Sequence, residues 1–373
     1  MAIGIDARFY GSVGKGLGRY TQKLIEQLEK LDGENQYFVF LRRENFEEYV
    51  PKNKNFQKVL ADYQWYSFAE QIFFPRLLSK YKLDLMHFPH FNVPILYGRK
   101  FVITIHDLIL LHFPTKRAST LSPLWYSFKF LAYRLVIFLA IWRSQKVFAV
   151  SEFTKQDILE QYSIAKNKVV VTHEACEKKA QISLRDSEQI LAKYGIMKPY
   201  LLYVGNAYPH KNLEKLTSAF AQVSLQKPAL KLVLVGKEDY FYSRLKAQVE
   251  KEKIGGVIFP GFVSDEDLPA VYAQALVYVF PSLYEGFGLP PLEAMAQGAA
   301  VISSQATCLP AILGEGAFFV DCEKQAEIAK AILQVMGDEK LRSGLIAKGF
   351  AQIEKYSWEK MARETLEIYR QFI

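Results

Sequence analysis

Cysteine is scarce: Cys176, Cys308 and Cys322 are the only three in 373 residues. Their odd number and wide spacing, with no Cys-x-x-Cys, argue against a disulfide framework and a zinc site and fit a reducing compartment. The opening residues, Met1 to Asp6, enter a strand at once without a basic n-region or a long apolar h-region, so no signal peptide is expected. Long apolar runs are also missing. The nearest, 121–142, is interrupted by Lys129 and Arg134, and the remainder falls well short of the ~20 residues that span a bilayer. Gly14 and Gly16 begin a dinucleotide fingerprint that Arg19 ends, because Gly or Ala is needed there, and no Gly-Lys-Ser/Thr completes a Walker loop. There is no arginine-rich tail or nucleic-acid motif, so nucleic acid is not an expected partner. No strand-end Asp-x-Asp of the metal-dependent kind is found, and no metal is expected.

Half of the residues are apolar and 23% are charged, an ordinary globular composition, with aromatics high at 14%. The net charge of +8 and pI near 9.0 favour anionic partners, such as nucleotide phosphates or anionic lipid head groups. At this length two domains are the default. Continuous Val, Ile, Leu and Phe runs alternate with helical stretches, the pattern of parallel sheets covered on both faces. In the first half strands are expected at 2–9, 37–41, 58–61, 83–88, 101–106, 146–150 and 169–172, with helices at 18–31, 67–81, 123–143 and 154–161. The charged stretch 174–198 breaks this rhythm and is expected to be the inter-domain link; the alternation restarts at Tyr200. The expected architecture is α/β, with two doubly wound, Rossmann-like domains, 1–173 and 199–356, facing across a cleft. Open sheets of this kind bind ligands beyond the carboxyl ends of their strands. The aromatic 121–142 stretch reads equally as a core helix or as a helix resting on a membrane surface, with Lys116 and Arg117 close by.

Three strand-end loops could carry chemistry. In Tyr284-Glu285-Gly286-Phe287-Gly288-Leu289-Pro290-Pro291-Leu292-Glu293, a buried-looking strand runs in and a short helix runs out. The prolines suit a helix's first turn, and the glycines let backbone approach a ligand. A helix N-terminus after such a loop suits phosphate, whereas Glu285 and Glu293 would repel phosphate and suit hydroxyl groups. Phosphate and hydroxyls together describe a sugar nucleotide. In the second loop, Gly205-Asn206-Ala207-Tyr208-Pro209-His210-Lys211-Asn212, Lys211 precedes a helix and offers a point charge for phosphate. In the third, His106 and Asp107 end the strand 101–106, a position that sets His106 apart from the other five histidines.

The 284–293 string resembles the Glu-x7-Glu motif of the retaining family 4 (group 1) glycosyltransferases, which have the GT-B fold. The other loops match that family in order. Gly11 to Tyr20 resembles its Gly-rich loop, in which Gly16 and Arg19 would meet the donor and Lys15 would add charge. Asn206 stands where the family commonly has Arg, so Lys211 would carry more of the diphosphate load; this version of the loop resembles a subgroup rich in mannosyltransferases. Phe262 and Val263 match the segment near the nucleobase. The resemblance implies sugar transfer from a nucleotide-diphosphate sugar, with GDP-mannose as first choice, to a glycan or lipid-linked acceptor. It implies no cofactor and no metal, and cytoplasmic work at the inner face of the plasma membrane in surface polysaccharide synthesis. The implied catalytic set is His106, Lys211 and Glu285. The donor-binding set is Gly16, Arg19, Gly205, Asn206, Phe262, Val263, Gly286 to Leu289, and Glu293. The last helix, 357–373, is expected to cross back onto the first domain. A sugar-nucleotide epimerase and a non-catalytic sugar-nucleotide-binding protein remain as alternatives.

Overall fold

A computed structural model describes residues 1–114, 123–177 and 184–372. The chain divides into two compact units. One takes in Met1–Leu108, Ser119–Glu174 and Ser357–Ile373; the other takes in Ile109–Ala118 and Ala175–Tyr356.

The first unit holds a seven-stranded parallel sheet: β1 (Ala2–Asp6), β2 (Gln36–Leu41), β3 (Phe56–Leu60), β4 (Leu85–Phe88), β5 (Phe101–Ile105), β6 (Val147–Ala149) and β7 (Val169–Val171), in the spatial order 3-2-1-4-5-6-7. The central strands are buried on both faces, which is why they read as unbroken apolar runs. The order reverses between β1 and β4, so the loops leaving these two strands diverge and open a crevice at their carboxyl ends. The first helix, Lys15–Leu31, begins three residues before the expected Gly18, after a short 3-10 turn at Gly11–Gly14. Its glycines explain the tight entry. A Cβ on Gly18 would lie 2.1 Å from the Gly11 carbonyl oxygen, and one on Gly14 would lie 2.1 Å from that of Phe9.

The final helix, Trp358–Tyr369, belongs to the first unit. Ser357 caps it by accepting from the Lys360 N–H. Its apolar face, including Met361, Leu366 and Tyr369, is buried, and it packs along the helix Lys15–Leu31. Tyr369 Oη lies 2.5 Å from His87 Nδ1, and Thr104 Oγ1 lies 2.9 Å from His87 Nε2. Hydroxyls can donate or accept, so a neutral His87 satisfies both contacts. Burial, aided by the charge of His106, holds this imidazole down at about 3.

The second unit holds six parallel strands: β8 (Tyr200–Val204), β9 (Lys231–Val235), β10 (Val257–Gly261), β11 (Val277–Phe280), β12 (Val301–Ser304) and β13 (Ala317–Val320), in the order 10-9-8-11-12-13. Here the switch point falls between β8 and β11, which pair directly at Leu201↔Val277 and Leu202↔Tyr278.

Two boundaries differ from the sequence expectation. The 174–198 stretch is not a free linker. From Ala175 onward it joins the second unit, where its helix Leu184–Lys193 packs on the helix Leu268–Ala273. Lys193 Nζ and Tyr194 Oη both donate to Asp267 Oδ2, at 2.7 and 2.8 Å. The segment after β5 also leaves the first domain. His112 stacks on Tyr284 at 4.9 Å, and Phe113 lies 6.1 Å from the same ring, which draws Ile109–Ala118 into the second unit. Aromatic packing with no local signature decides this boundary.

Candidate active site

The second unit brings Lys211 and Glu285 together. Lys211 ends a 3-10 turn, Pro209–Lys211, in the loop after β8; Glu285 lies in the loop after β11. Because β8 and β11 are neighbours at the switch point, residues 74 apart in sequence meet: Lys211 Nζ donates to Glu285 Oε1 at 2.5 Å. Both side chains are nearly buried. Lys211 Nζ also lies 5.6 Å from the Phe280 ring centroid. Breaking so dry a pair without a new partner for each charge is costly.

The two loops are tied to each other by backbone. Leu283 N–H donates to the His210 carbonyl at 2.7 Å, and Ser282 Oγ donates to the same oxygen at 3.3 Å. Asn212 adopts a left-handed conformation with φ 60°, which asparagine tolerates better than most residues. Its buried amide donates to the Cys322 and Pro281 carbonyls at 2.7 and 3.3 Å, clamping the turn that carries Lys211. His210 is buried beside Lys211; burial and that charge push it down to about 3, so it is neutral and adds no cation to the loop.

Glu285 is held from its other side by Thr307, whose Oγ1 accepts the Glu285 N–H at 3.1 Å. Thr307 has φ 56°, a strained conformation for a β-branched residue and one typical of functional loops. Neither Asn212 nor Thr307 is legible as a site residue from composition or spacing. Asn212 alone carries a local hint, since asparagine is enriched at left-handed positions.

After Glu285 the chain turns through Gly286 and Phe287 to Gly288, which caps the helix Leu289–Ala296 at φ 97°. A side chain at 288 would be strained there, and its Cβ would sit 2.8 Å from Leu309 Cδ2. Pro290 and Pro291 fill the first turn as expected, but they also delete two N–H groups. The donors this end can present are therefore concentrated at Gly288 and Leu289. Cys308 Sγ donates to the Phe287 carbonyl at 3.3 Å and fixes the turn from below. Glu293, one turn along the same helix and half-buried, accepts from Tyr272 Oη at 3.1 Å.

Gly205, Gly236 and Gly261 stand at the ends of β8, β9 and β10. Gly205 N–H donates to the Val235 carbonyl and Gly236 N–H to the Gly261 carbonyl, so the three strand ends touch backbone to backbone. A Cβ on Gly236 would meet the Gly205 oxygen at 2.2 Å. The Asn206 side chain turns into its own loop, accepting from the Tyr208 N–H at 3.3 Å. Phe262 projects outward, 68% exposed, while Val263 is buried, which leaves only the backbone of Val263 for a ligand.

The first unit holds Gly16, Arg19 and His106. Gly16 is exposed, and a Cβ there would meet nothing within 4 Å, so packing does not require this glycine. Arg19 is half-buried in the second turn of the first helix; the Lys15 side chain lies outside the described residues. His106 Nδ1 is 2.8 Å from Glu174 Oε1, and Nε2 is 3.0 Å from the Pro89 carbonyl oxygen. Carboxylate and carbonyl oxygens only accept, so both ring nitrogens must carry hydrogen and His106 is held as an imidazolium. Burial opposes this charge, but the Glu174 hydrogen bond and carboxylate, with the Pro89 carbonyl, raise His106 above its ordinary value. Sequence reading missed Glu174, which gives no local sign of a partner 68 residues away.

A raised folded-state value stabilises the fold fully below the ordinary histidine range, and that stabilisation is lost as pH rises through the raised value. Glu174→Gln should therefore lower the His106 titration point seen by NMR and flatten the alkaline loss of thermal stability. An unmoved titration point would show that Glu174 does not hold the charge.

Among the described residues, no group of three or more His, Cys, Asp or Glu could hold a metal ion. Two family models match the chain: "Glycosyltransferase Family 4" over residues 14–176 and "Glycosyl transferases group 1" over 186–352. The O-antigen chain mannosyltransferase B of Escherichia coli is 29% identical over 95% of this chain and 96% of its own length. The O-antigen chain mannosyltransferase RfbU of Salmonella typhimurium is 25% identical over 87% and 88%. The solved sucrose-phosphate synthase of Thermosynechococcus elongatus superposes with a TM-score of 0.80 at 20% identity, covering 100% of this chain and 98% of that one, and so shares its fold. Two Rossmann-like parallel sheets, strand-end loops in the family's order and models that together run from residue 14 to residue 352 place this chain among the group 1, family 4 glycosyltransferases with the GT-B fold.

Proposed function

We propose that this glycosyltransferase moves mannose, or a similar hexose, from a nucleoside diphosphate sugar, GDP-mannose first, to a glycan or lipid-linked glycan acceptor, with retention and without a metal. The observation that carries the reading is the meeting of Lys211 and Glu285 at the β8–β11 switch point. Relatives described as mannosyltransferases of O-antigen chains support the sugar and the polysaccharide context.

Lys211 neutralises the departing diphosphate, with the N–H groups at Gly288 and Leu289 on its other side. Preorganised positive groups aimed at developing charge are usually the largest catalytic contribution. Glu285 accepts from donor-sugar hydroxyls, and Glu293 accepts from the ribose. Gly205 and Asn206 border the phosphates, and the backbone at Phe262 and Val263 reads the base. Gly16, whose openness packing does not explain, Arg19 and His106 are the donor-side residues that this reading proposes for the first unit. The leaving diphosphate itself takes the acceptor proton on the face it departs from. The reaction is assigned to the cytoplasm, where a reducing medium suits three cysteines that form no disulfide.

Thermal-shift screening against GDP-, UDP- and ADP-sugars in EDTA tests the donor. GDP-mannose should give the largest stabilisation, and Lys211→Ala should abolish it. A larger shift with another donor would replace GDP-mannose, and no shift with any donor would remove the reading.

A further inference from the structure

The helix Pro123–Arg143 presents two faces. Ile137, Ala140 and Ile141 are buried against the first unit. On the other side Leu131, Leu135, Phe138 and Trp142, at spacings of four, three and four, form one helical stripe, 47–65% exposed. Exposed apolar side chains are also found on the elements tied to this helix. Arg143 Nη1 donates to the Ile95 carbonyl at 2.6 Å, which fastens the helix end to a loop carrying exposed Ile95 and Leu96. The Ile95 N–H in turn donates to Gln71 Oε1 at 2.8 Å, on the helix Phe68–Ser79. That helix exposes Phe68 (88%), Ile72 and Phe73. Three elements joined by these hydrogen bonds thus expose nine large apolar side chains, more than scattered surface residues account for.

The charge on these elements has one sign. Residues 91–100 and 123–143 contain no Asp or Glu, and the one acid of Phe68–Ser79, Glu70, is buried on Arg8. Arg76, Arg99, Lys100 and Arg134 are exposed on the same three elements, and exposed Lys166 lies two residues from Lys168, whose ammonium donates to the Trp142 carbonyl. No helix among the described residues is long and apolar enough to cross a membrane. An apolar stripe on elements whose own exposed charges are all basic, with an exposed acid, Glu160, two residues from the Tyr162 ring beside Phe138, matches a bilayer interface, with rings and aliphatic chains at the acyl boundary and cations at anionic head groups.

We infer that this face of the first unit docks on an anionic lipid surface. The lipid-facing residues lie outside the proposed donor site, so docking is a property separate from sugar transfer. It deepens the acceptor side of that reading: a docked enzyme meets a lipid-linked acceptor at the membrane surface.

Sedimentation of the full chain with vesicles tests the inference. Vesicles containing phosphatidylglycerol should carry the protein down, vesicles of phosphatidylcholine alone should carry down much less, and added salt should weaken the capture. Leu135→Glu with Trp142→Glu should reduce binding by about tenfold or more, and Arg99→Glu with Lys100→Glu should reduce it by a similar factor without touching the apolar stripe. Thermal melts establish that each variant is folded, and the charge pair keeps the test open should the apolar pair fail to fold. Equal capture by both vesicle types, or wild-type capture by folded variants of both pairs, would overturn the inference. A dimer that Leu135→Glu with Trp142→Glu dissolves, in a protein that ignores vesicles, would assign the face to a second copy instead. Turnover on a soluble acceptor reports the donor chemistry separately, so loss of docking and loss of transfer are told apart.

Discussion

Lys211→Ala will lower sugar transfer by about 10²–10³-fold, the usual consequence of removing one preorganised group from a site of developing negative charge. The loss has two sources that must be separated. Lys211 offsets charge on the leaving diphosphate, but in the resting protein it also neutralises Glu285 at 2.5 Å in a nearly buried pair. Removing the lysine leaves that carboxylate without its counter-ion, a change that costs about 3–5 kcal/mol in comparable pairs. Lys211→Met combined with Glu285→Gln removes both charges together. It should recover most of the lost thermal stability while turnover stays low. Turnover near wild type in folded Lys211→Ala would show that the lysine does not serve the diphosphate.

Glu285→Gln will separate binding from transfer. In the resting site the carboxylate competes with any phosphate for Lys211, since both are anionic partners of one ammonium. The amide that replaces it keeps the shape and removes the competitor. A free nucleoside diphosphate should therefore bind about tenfold more tightly, a fraction of the Coulomb energy available to a close pair at a protein surface. Transfer should fall by about 10–100-fold, because a charged acceptor to a sugar hydroxyl contributes about 1.5–3 kcal/mol. Calorimetry with the nucleotide alone and turnover with the full donor should move in opposite directions. If both weaken together, Glu285 supports the loop rather than the sugar.

The sequence reading located the strand-end loops more accurately than it located the domain boundaries. Loops at strand ends announce themselves locally: an apolar run ends, glycine or proline follows, and a helix begins. That punctuation placed Lys211 and Glu285 in the loops after β8 and β11, and it placed the prolines in the first turn of Leu289–Ala296. The same signals failed at 174–198, where a polar sequence joins the second unit through Tyr194 and Asp267. They failed again at 109–118, where the deciding contact is a ring stack between His112 and Tyr284.

The aromatic helix shows the limit of periodicity. Pro123–Arg143 is apolar on more than one side, so its pattern could not say which side faces the core. Packing of Ile137, Ala140 and Ile141 answers that and leaves Leu131, Leu135, Phe138 and Trp142 outside. The cations expected beside this helix at Lys116, Arg117 and Lys129 lie outside the described side chains; Arg134, Arg99 and Lys100 supply the charge among those described.

By itself the sequence determined the alternation of strands and helices, the strand-end loops and the residue types in them, because hydrophobic period and turn chemistry are written within a few residues. Only the tertiary structure decided which distant residues meet: Lys211 with Glu285, His106 with Glu174, Tyr369 with His87. Those pairings depend on which strands lie side by side, and strand order is fixed by packing across the whole sheet, not by any local run of residues.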